Sequence, residues 1–499
     1  MSGRLGIRGA VRGFAALAGA TVAGQVIGFV ALAIVARRVG PENLGDYAFA
    51  AVFTSYVLVV TDLGLSVYGV REVAREPERT REIAGQVLAL RFLSFAVVAI
   101  ALVPLSAVLA PNDHARTFIL ILTVGYVPQV IGLDWVLRAR GSFAAMAALT
   151  LGGQVVYGAL VPVLVTDGYP GAKVYAWLNV LGFAITFFGA SAIAVRRYGL
   201  PILRANAREL WTRLRRSAPL GVTFVLGLLF TGVNTLILGY LKTPADVGVY
   251  GVALRLPFAL ALLGSVWISA FLPHASELAT RDRRALLDQI GRLASLAIVV
   301  ALPIAAISAV IATPLMRELF GPEFAAAGAP FRWLMLWASL SLVATNFNNA
   351  LLALDEEKWL MAGTAGAVVV TMAVTLALVP PFGTAGAGAG ALLGEVALVA
   401  GSIYRLRRKA GRVSLETGRV VRAALVTIAA AGVVLALRDA VPAVVAVAAG
   451  GLVFAAGAVA AGAIAPAEVR ELLRRAPAEP QPATAASSSS ISGSTTPGA

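Results

Sequence analysis

Apolar stretches of about 20 residues, separated by short polar punctuation, recur along nearly the whole chain and leave it one kind of fold. A hydrocarbon layer of about 30 Å is crossed by roughly 20 helical residues, and about 14 stretches of that length can be counted. Helices are required because unpaired backbone groups cannot face lipid. The residue-by-residue alternation of a membrane barrel is absent. With 59% hydrophobic and 13% charged residues, the 499-residue chain has too little polar surface to cover a soluble globule. The fold class expected is an all-α polytopic membrane protein.

An opening unit at residues 21–50 returns at 224–253, a shift of 203 positions. It carries Gly24 onto Gly227, Pro41 onto Pro244, Gly45 onto Gly248, Tyr47 onto Tyr250 and Ala50 onto Ala253. The chain therefore reads as two related halves. Spans one to six occupy 13–195 and spans seven to twelve 218–404, joined by a basic linker at 196–217. Six spans per half is an even number, so the halves are parallel repeats about an axis along the membrane normal. A basic loop at 405–421 precedes two further spans at 422–464 that belong to neither repeat. Residues 1–12, with Arg4, Arg8 and Arg12 four apart, read as a basic lead-in at the inner surface, and the first span as an uncleaved anchor. The segment 466–499 is too poor in apolar residues to fold and is expected to be a disordered cytoplasmic extension.

Most of the 41 Lys and Arg fall in alternate segments if the N-terminus is cytoplasmic, which predicts both termini inside. The net charge of +15 is then met by anionic inner-leaflet lipid and calls for no nucleic acid. Arg37 and Arg38 break the pattern, lying on the outer flank of the first span. Either they snorkel to headgroups or they stand at the mouth of an internal path.

Little catalytic chemistry is available. Cysteine is absent, none of the four lysines follows a glycine as a phosphate loop requires, and His114 and His274 cannot form an HExxH metal site. No cofactor or metal is expected. The outer loops, the longest at 313–329, leave no room for an external catalytic domain, which disfavours a membrane glycosyltransferase or polymerase.

The informative residues are polar groups at membrane depth, where a charge costs about 2.5–3.5 kcal/mol. Arg255 in span eight is the clearest, followed by Asp62, Asp134 and Glu395, which are candidates for coupling or gating as well as for structural pairing. Gln25, Asn234 and the repeat tyrosines Tyr47 and Tyr250 could line a hydrated path, though any one amide could equally be interhelical glue. Pro104, Pro128 and Pro162 fall inside spans, where a break in the helix often lines a cavity. Gly386, Gly390 and Gly394 form a four-residue stripe assigned to close packing.

At these residues the chain resembles the polysaccharide-biosynthesis flippases of the multidrug, oligosaccharidyl-lipid and polysaccharide exporter superfamily. The likeness rests on RRVGPENLGDYAFA from Arg37, on Asp62 to Leu65 followed by Arg71 and Glu72, on Asp134-Trp135 with Gly141 beyond, and on GVYGVALR ending at Arg255. It implies two six-helix lobes around a cavity that opens alternately to each face, with two extra C-terminal helices. It also implies a cargo of undecaprenyl-diphosphate-linked oligosaccharide, moved from the inner to the outer leaflet of the bacterial plasma membrane. Arg255, Arg37 and Arg38 best match the family's positively charged cavity, and a guanidinium offers forked donors to a diphosphate. A polysaccharide polymerase and glycosyltransferases are the protein partners such a cargo suggests. The rival reading is an ion-coupled drug or cation antiporter of the same fold.

Overall fold

Gly40 breaks what would otherwise be a single 61-residue helix. Its φ of 76° and ψ of 169° turn the chain back just before Pro41, so that α1 (Ser2–Asp62) crosses the bundle twice. The computed structural model describes residues 2–203 and 206–465, so the expected extension at 466–499 lies outside the described residues. After α1 come α2 (Leu65–Arg75), α3 (Thr80–Leu109), and a crossing in three pieces, α4 (Asp113–Gly125), α5 (Val127–Val130) and α6 (Asp134–Ala139). Helices α7 (Phe143–Leu164) and α8 (Gly168–Tyr198) complete the first half. The second half repeats this order with α9 (Ala207–Leu241), α10 (Pro244–Ala253) and α11 (Arg255–Arg281), then α12 (Arg283–Phe320), α13 (Gly328–Ala353) and α14 (Glu357–Lys409). Like α1, α14 is two crossings merged, broken at Gly383 with φ 55°. Helices α15 (Thr417–Leu437) and α16 (Ala443–Ala460) follow.

Among the described residues, ten helices are long and apolar enough to cross a membrane, with α1 and α14 among them. Because those two cross twice, and α10–α11 and α13 also traverse the bundle, the order agrees with the expected succession of spans. Hydrogen bonds sort the connections into two faces. On one, here the terminal face, Ile202 N donates to Arg81 O, Ser142 and Tyr198 share a hydroxyl contact, and Glu356 pairs with Arg405 and Lys409. On the other, the distal face, Tyr240 donates to Leu109 O, Lys242 to Pro380 O, and Ala443 N to the Glu318 carboxylate.

Between lipid-like surfaces there is little hydrophobic drive to associate, so small residues must let helices approach. The glycine stripe of α14 does so: a Cβ on Gly390 would stand 2.0 Å from Thr375 Oγ1, and one on Gly394 1.9 Å from Thr371 Oγ1. The two arms of α14 thus pack directly on each other across the Gly383 break.

Candidate functional site

A cavity of about 520 Å³ lies between the halves, with Thr61, Asp62, Arg91 and Gln129 on one wall and Phe224 and Phe258 on the other. Its polar wall is assembled by helix breaks. Helix α1 ends at Asp62, and the chain turns through two left-handed residues, Leu63 at φ 39° and Gly64 at φ 78°. On the neighbouring crossing, Pro128 ends the regular ladder, leaving α4, α5 and α6 as separate pieces and the Gly132 carbonyl free to accept from a side chain.

Arg91 of α3 exploits both breaks. Its side chain is 6% exposed, a costly position for a charge, yet every arm is satisfied. Nε donates to Asp62 Oδ1 at 2.8 Å, Nη2 to Asp62 and Ser66, and Nη1 to Gly132 O at 3.3 Å. The sequence reading passes over Arg91 because it lies a few residues inside a span that starts in a charged flank. The signal that could have found it is Asp62, an acid closing the preceding span on the same side.

Arg255 stands at the first position of α11, directly after the α10 break. It is exposed, whereas its neighbours Val252, Ala253 and Pro257 are buried. Phe258, three positions on and so on the same helical face, lines the cavity. The guanidinium lies within electrostatic reach of Tyr47 and Tyr157, which belong to the other half. No hydrogen-bond or ion-pair partner meets it among the described residues. Tyr47 is buried, with its ring edge-on to Tyr175 at 4.7 Å between centroids, and Tyr157 packs on Tyr175 at 6.1 Å. Among the described residues no acid pairs with this cation.

The other candidates separate. Arg38 donates to Pro162 O at 2.9 Å and to Val165 O, the carbonyls that end α7. Arg37 donates to Glu318 O near the end of α12, in the opposite half. Both sit on the distal face and satisfy orphan helix-end carbonyls. Asn234 and Tyr250 are buried together: Asn234 Nδ2 donates to Tyr250 Oη at 3.3 Å and to Ala387 O at 3.2 Å, and Thr375 donates to Asn234 Oδ1 at 2.8 Å. That is interhelical packing within the second half. Gln25 is exposed on the outer part of α1, next to Gly24, against which Gln154 of α7 packs. Asp134 pairs with Arg138 one turn away. Glu395 is 2% exposed and accepts from Trp337 Nε1 at 3.1 Å. No group of metal-ligating side chains occurs among the described residues.

Residues 10–279 match the family described as polysaccharide biosynthesis protein. Among solved structures, the lipid II flippase MurJ in its inward closed conformation is similar at a TM-score of 0.74 and 14% identity, over 92% of this chain and 99% of that one. An inward-facing multidrug resistance MATE family transporter of the MOP superfamily is similar at a TM-score of 0.62 and 19% identity, over 77% of this chain and 94% of that one. A variant of the Vibrio cholerae MATE transporter VcmN gives a TM-score of 0.52 at 16% identity, over 80% of this chain and 98% of that one. At such identities the likeness establishes a common fold. No curated protein matches the chain significantly.

Proposed function

The chain belongs to the polysaccharide biosynthesis protein family, and on that premise we propose that it flips an undecaprenyl-diphosphate-linked oligosaccharide from the inner to the outer leaflet of the bacterial plasma membrane. Its family and fold are those of membrane flippases and transporters. The two lobes alternate access to the cavity between them, with the terminal face cytoplasmic, as the distribution of basic residues supports.

The observation that carries this reading is Arg255, an exposed guanidinium directly after the α10 break, within electrostatic reach of the other half and with no anionic partner among the described residues. An exposed guanidinium without a protein counter-ion is free to take a ligand anion, and a diphosphate meets it with forked geometry. Arg91 adds a second cation on the opposite wall. Arg37 bridges the halves at the closed distal face and reaches the cargo only once that face opens, whereas Arg38 holds the end of α7 within its own half.

Nucleotide is not required as a driving force. Outward movement of negative charge is favoured by about 2.3 kcal/mol per charge per 100 mV of inside-negative potential. Among the three acids, Asp62 and Asp134 are held by arginines, whereas Glu395 is bound by the neutral donors Trp337 and Ser341. The drug-antiporter alternative rests on the related fold alone.

Reconstitution into vesicles tests the proposal. A labelled prenyl-diphosphate oligosaccharide placed in one leaflet should become accessible from the other; unchanged protection, with dye efflux under an ion gradient, would favour the antiporter.

A further inference from the structure

The Asp62–Arg91 pair spans a hinge, and that position carries more than an ion pair requires. Asp62 is the last residue of α1 and Ser66 the second of α2, with left-handed Leu63 and Gly64 between them. Leu63 at φ 39° is held in a region that a branched side chain avoids, so something beyond local preference keeps the turn. Ser66 donates from its N and Oγ to the Asp62 carboxylate across the turn, and Arg91 of α3 clamps the pair, one guanidinium donating to Asp62 before the turn and to Ser66 after it. Beyond the turn, α2 packs on its own half, where a Cβ on Gly69 would stand 2.6 Å from the Trp135 ring of α6, and it also reaches the opposite half. Arg213 of α9 donates to Tyr68 Oη at 2.9 Å, with its guanidinium 5.9 Å from the ring centroid. The Leu63 backbone lies so close to α9 that a Cβ on Gly221 would stand 2.8 Å from its carbonyl carbon. Helix α2, packed on α6 of its own half and reaching α9, is thus a flap between the halves at the terminal face, and the turn before it lies on the cavity wall.

We propose that Arg91 is a phosphate-binding cation held in reserve by Asp62, and that a diphosphate headgroup entering the cavity takes the place of Asp62 and frees the α2 flap. This rests on the reading of the cargo as a lipid diphosphate. Carboxylate and phosphate accept the same forked donors, and a diphosphate carries more charge than the single Asp62 carboxylate, so exchange favours the ligand. Gly132 O keeps hold of Nη1, so the guanidinium stays in place while its outward arms change partner. The displaced Asp62, with 23% of its side chain exposed, turns to the hydrated cavity. Ligand occupancy on the cavity wall is thereby linked to the contact between halves at Tyr68 and Arg213.

The absence of cysteine allows a clean test. Spin labels at Arg75→Cys on α2 and Arg215→Cys on α9, both exposed positions, report the distance between flap and opposite half in nanodiscs. Farnesyl diphosphate should lengthen that distance. Asp62→Asn should lengthen it without ligand and bind farnesyl diphosphate about tenfold more tightly, the size of a typical coupling between linked sites. The charge-balanced Asp62→Asn/Arg91→Gln variant, which guards against misfolding from an unpaired arginine, should lose the response. Inorganic diphosphate is the second arm: a response to the prenyl compound alone assigns the site to a lipid headgroup, and an equal response to both assigns it to the free anion. Binding by the wild type with Asp62→Asn unchanged in affinity and distance, or a double variant that still responds, overturns the inference and leaves the proposed function standing. No binding by the wild type overturns both.

Discussion

Gly45 and Gly248, equivalent residues of the repeat, lie face to face across the two halves. A Cβ on Gly45 would fall 1.7 Å from the Pro244 carbonyl oxygen, and one on Gly248 2.0 Å from that of Pro41. The sequence likeness that revealed the duplication is therefore also the contact that closes the distal face. Alanine at either position must drive α1 and α10 apart, and overpacking of this kind costs about 1–3 kcal/mol. Gly45→Ala should shift the protein toward a distally open form, so that Val249→Cys, buried beside this contact, reacts faster with a maleimide. Unchanged labelling would mean that the crossing does not act as a gate.

Arg37 and Arg38 are adjacent yet should behave differently. Arg38 ends α7 within its own half, so Arg38→Ala removes charged hydrogen bonds worth about 1.5–3 kcal/mol and should lower the unfolding temperature in detergent. Arg37 reaches a carbonyl of the opposite half, so Arg37→Ala should leave stability nearly unchanged and raise distal labelling instead. Equal effects on both readouts would refute the distinction.

Glu356, in the loop before α14, makes stability depend on pH. Hydrogen bonds from Lys409 and then from Arg405 hold its carboxyl below the usual carboxylate range. A depressed value in the folded state means that this contribution is complete above the ordinary carboxylate pKa and is lost as pH falls through the depressed one. Glu356→Gln should lower stability at neutral pH, by less at high salt, and should narrow its gap from wild type in acid. A gap that stays constant from neutral pH to strong acid would show that the carboxylate charge is not what tethers the loop.

The topology could be read from the sequence because each crossing declares itself by length and apolarity, and the even count in each half fixes their relative direction. Arg255 stands out in the sequence as a charge inside a span, and the structure sets it, exposed, at the first position of α11. Arg91 was not, because a basic residue near a span end looks like a headgroup anchor until its partners are known. The fates of Arg37 and Arg38 were equally hidden: successive helical residues point about 100° apart, which is enough to send one side chain to each half. Asn234 and Tyr250 carry the same polar atoms whether they line a path or pack a core. Only the placement of Thr375 and the Ala387 carbonyl, from an element far along the chain, reveals their packing role.

If the Arg255 guanidinium binds a lipid-linked diphosphate between the lobes, charge substitution at this position in proteoliposomes must change the flipping rate. Flipping of a labelled prenyl-diphosphate oligosaccharide should fall about 10–100-fold for Arg255→Ala at unchanged membrane abundance, and Arg255→Lys, which keeps the charge but loses the fork, should retain an intermediate rate. Wild-type flipping by Arg255→Ala would contradict the account.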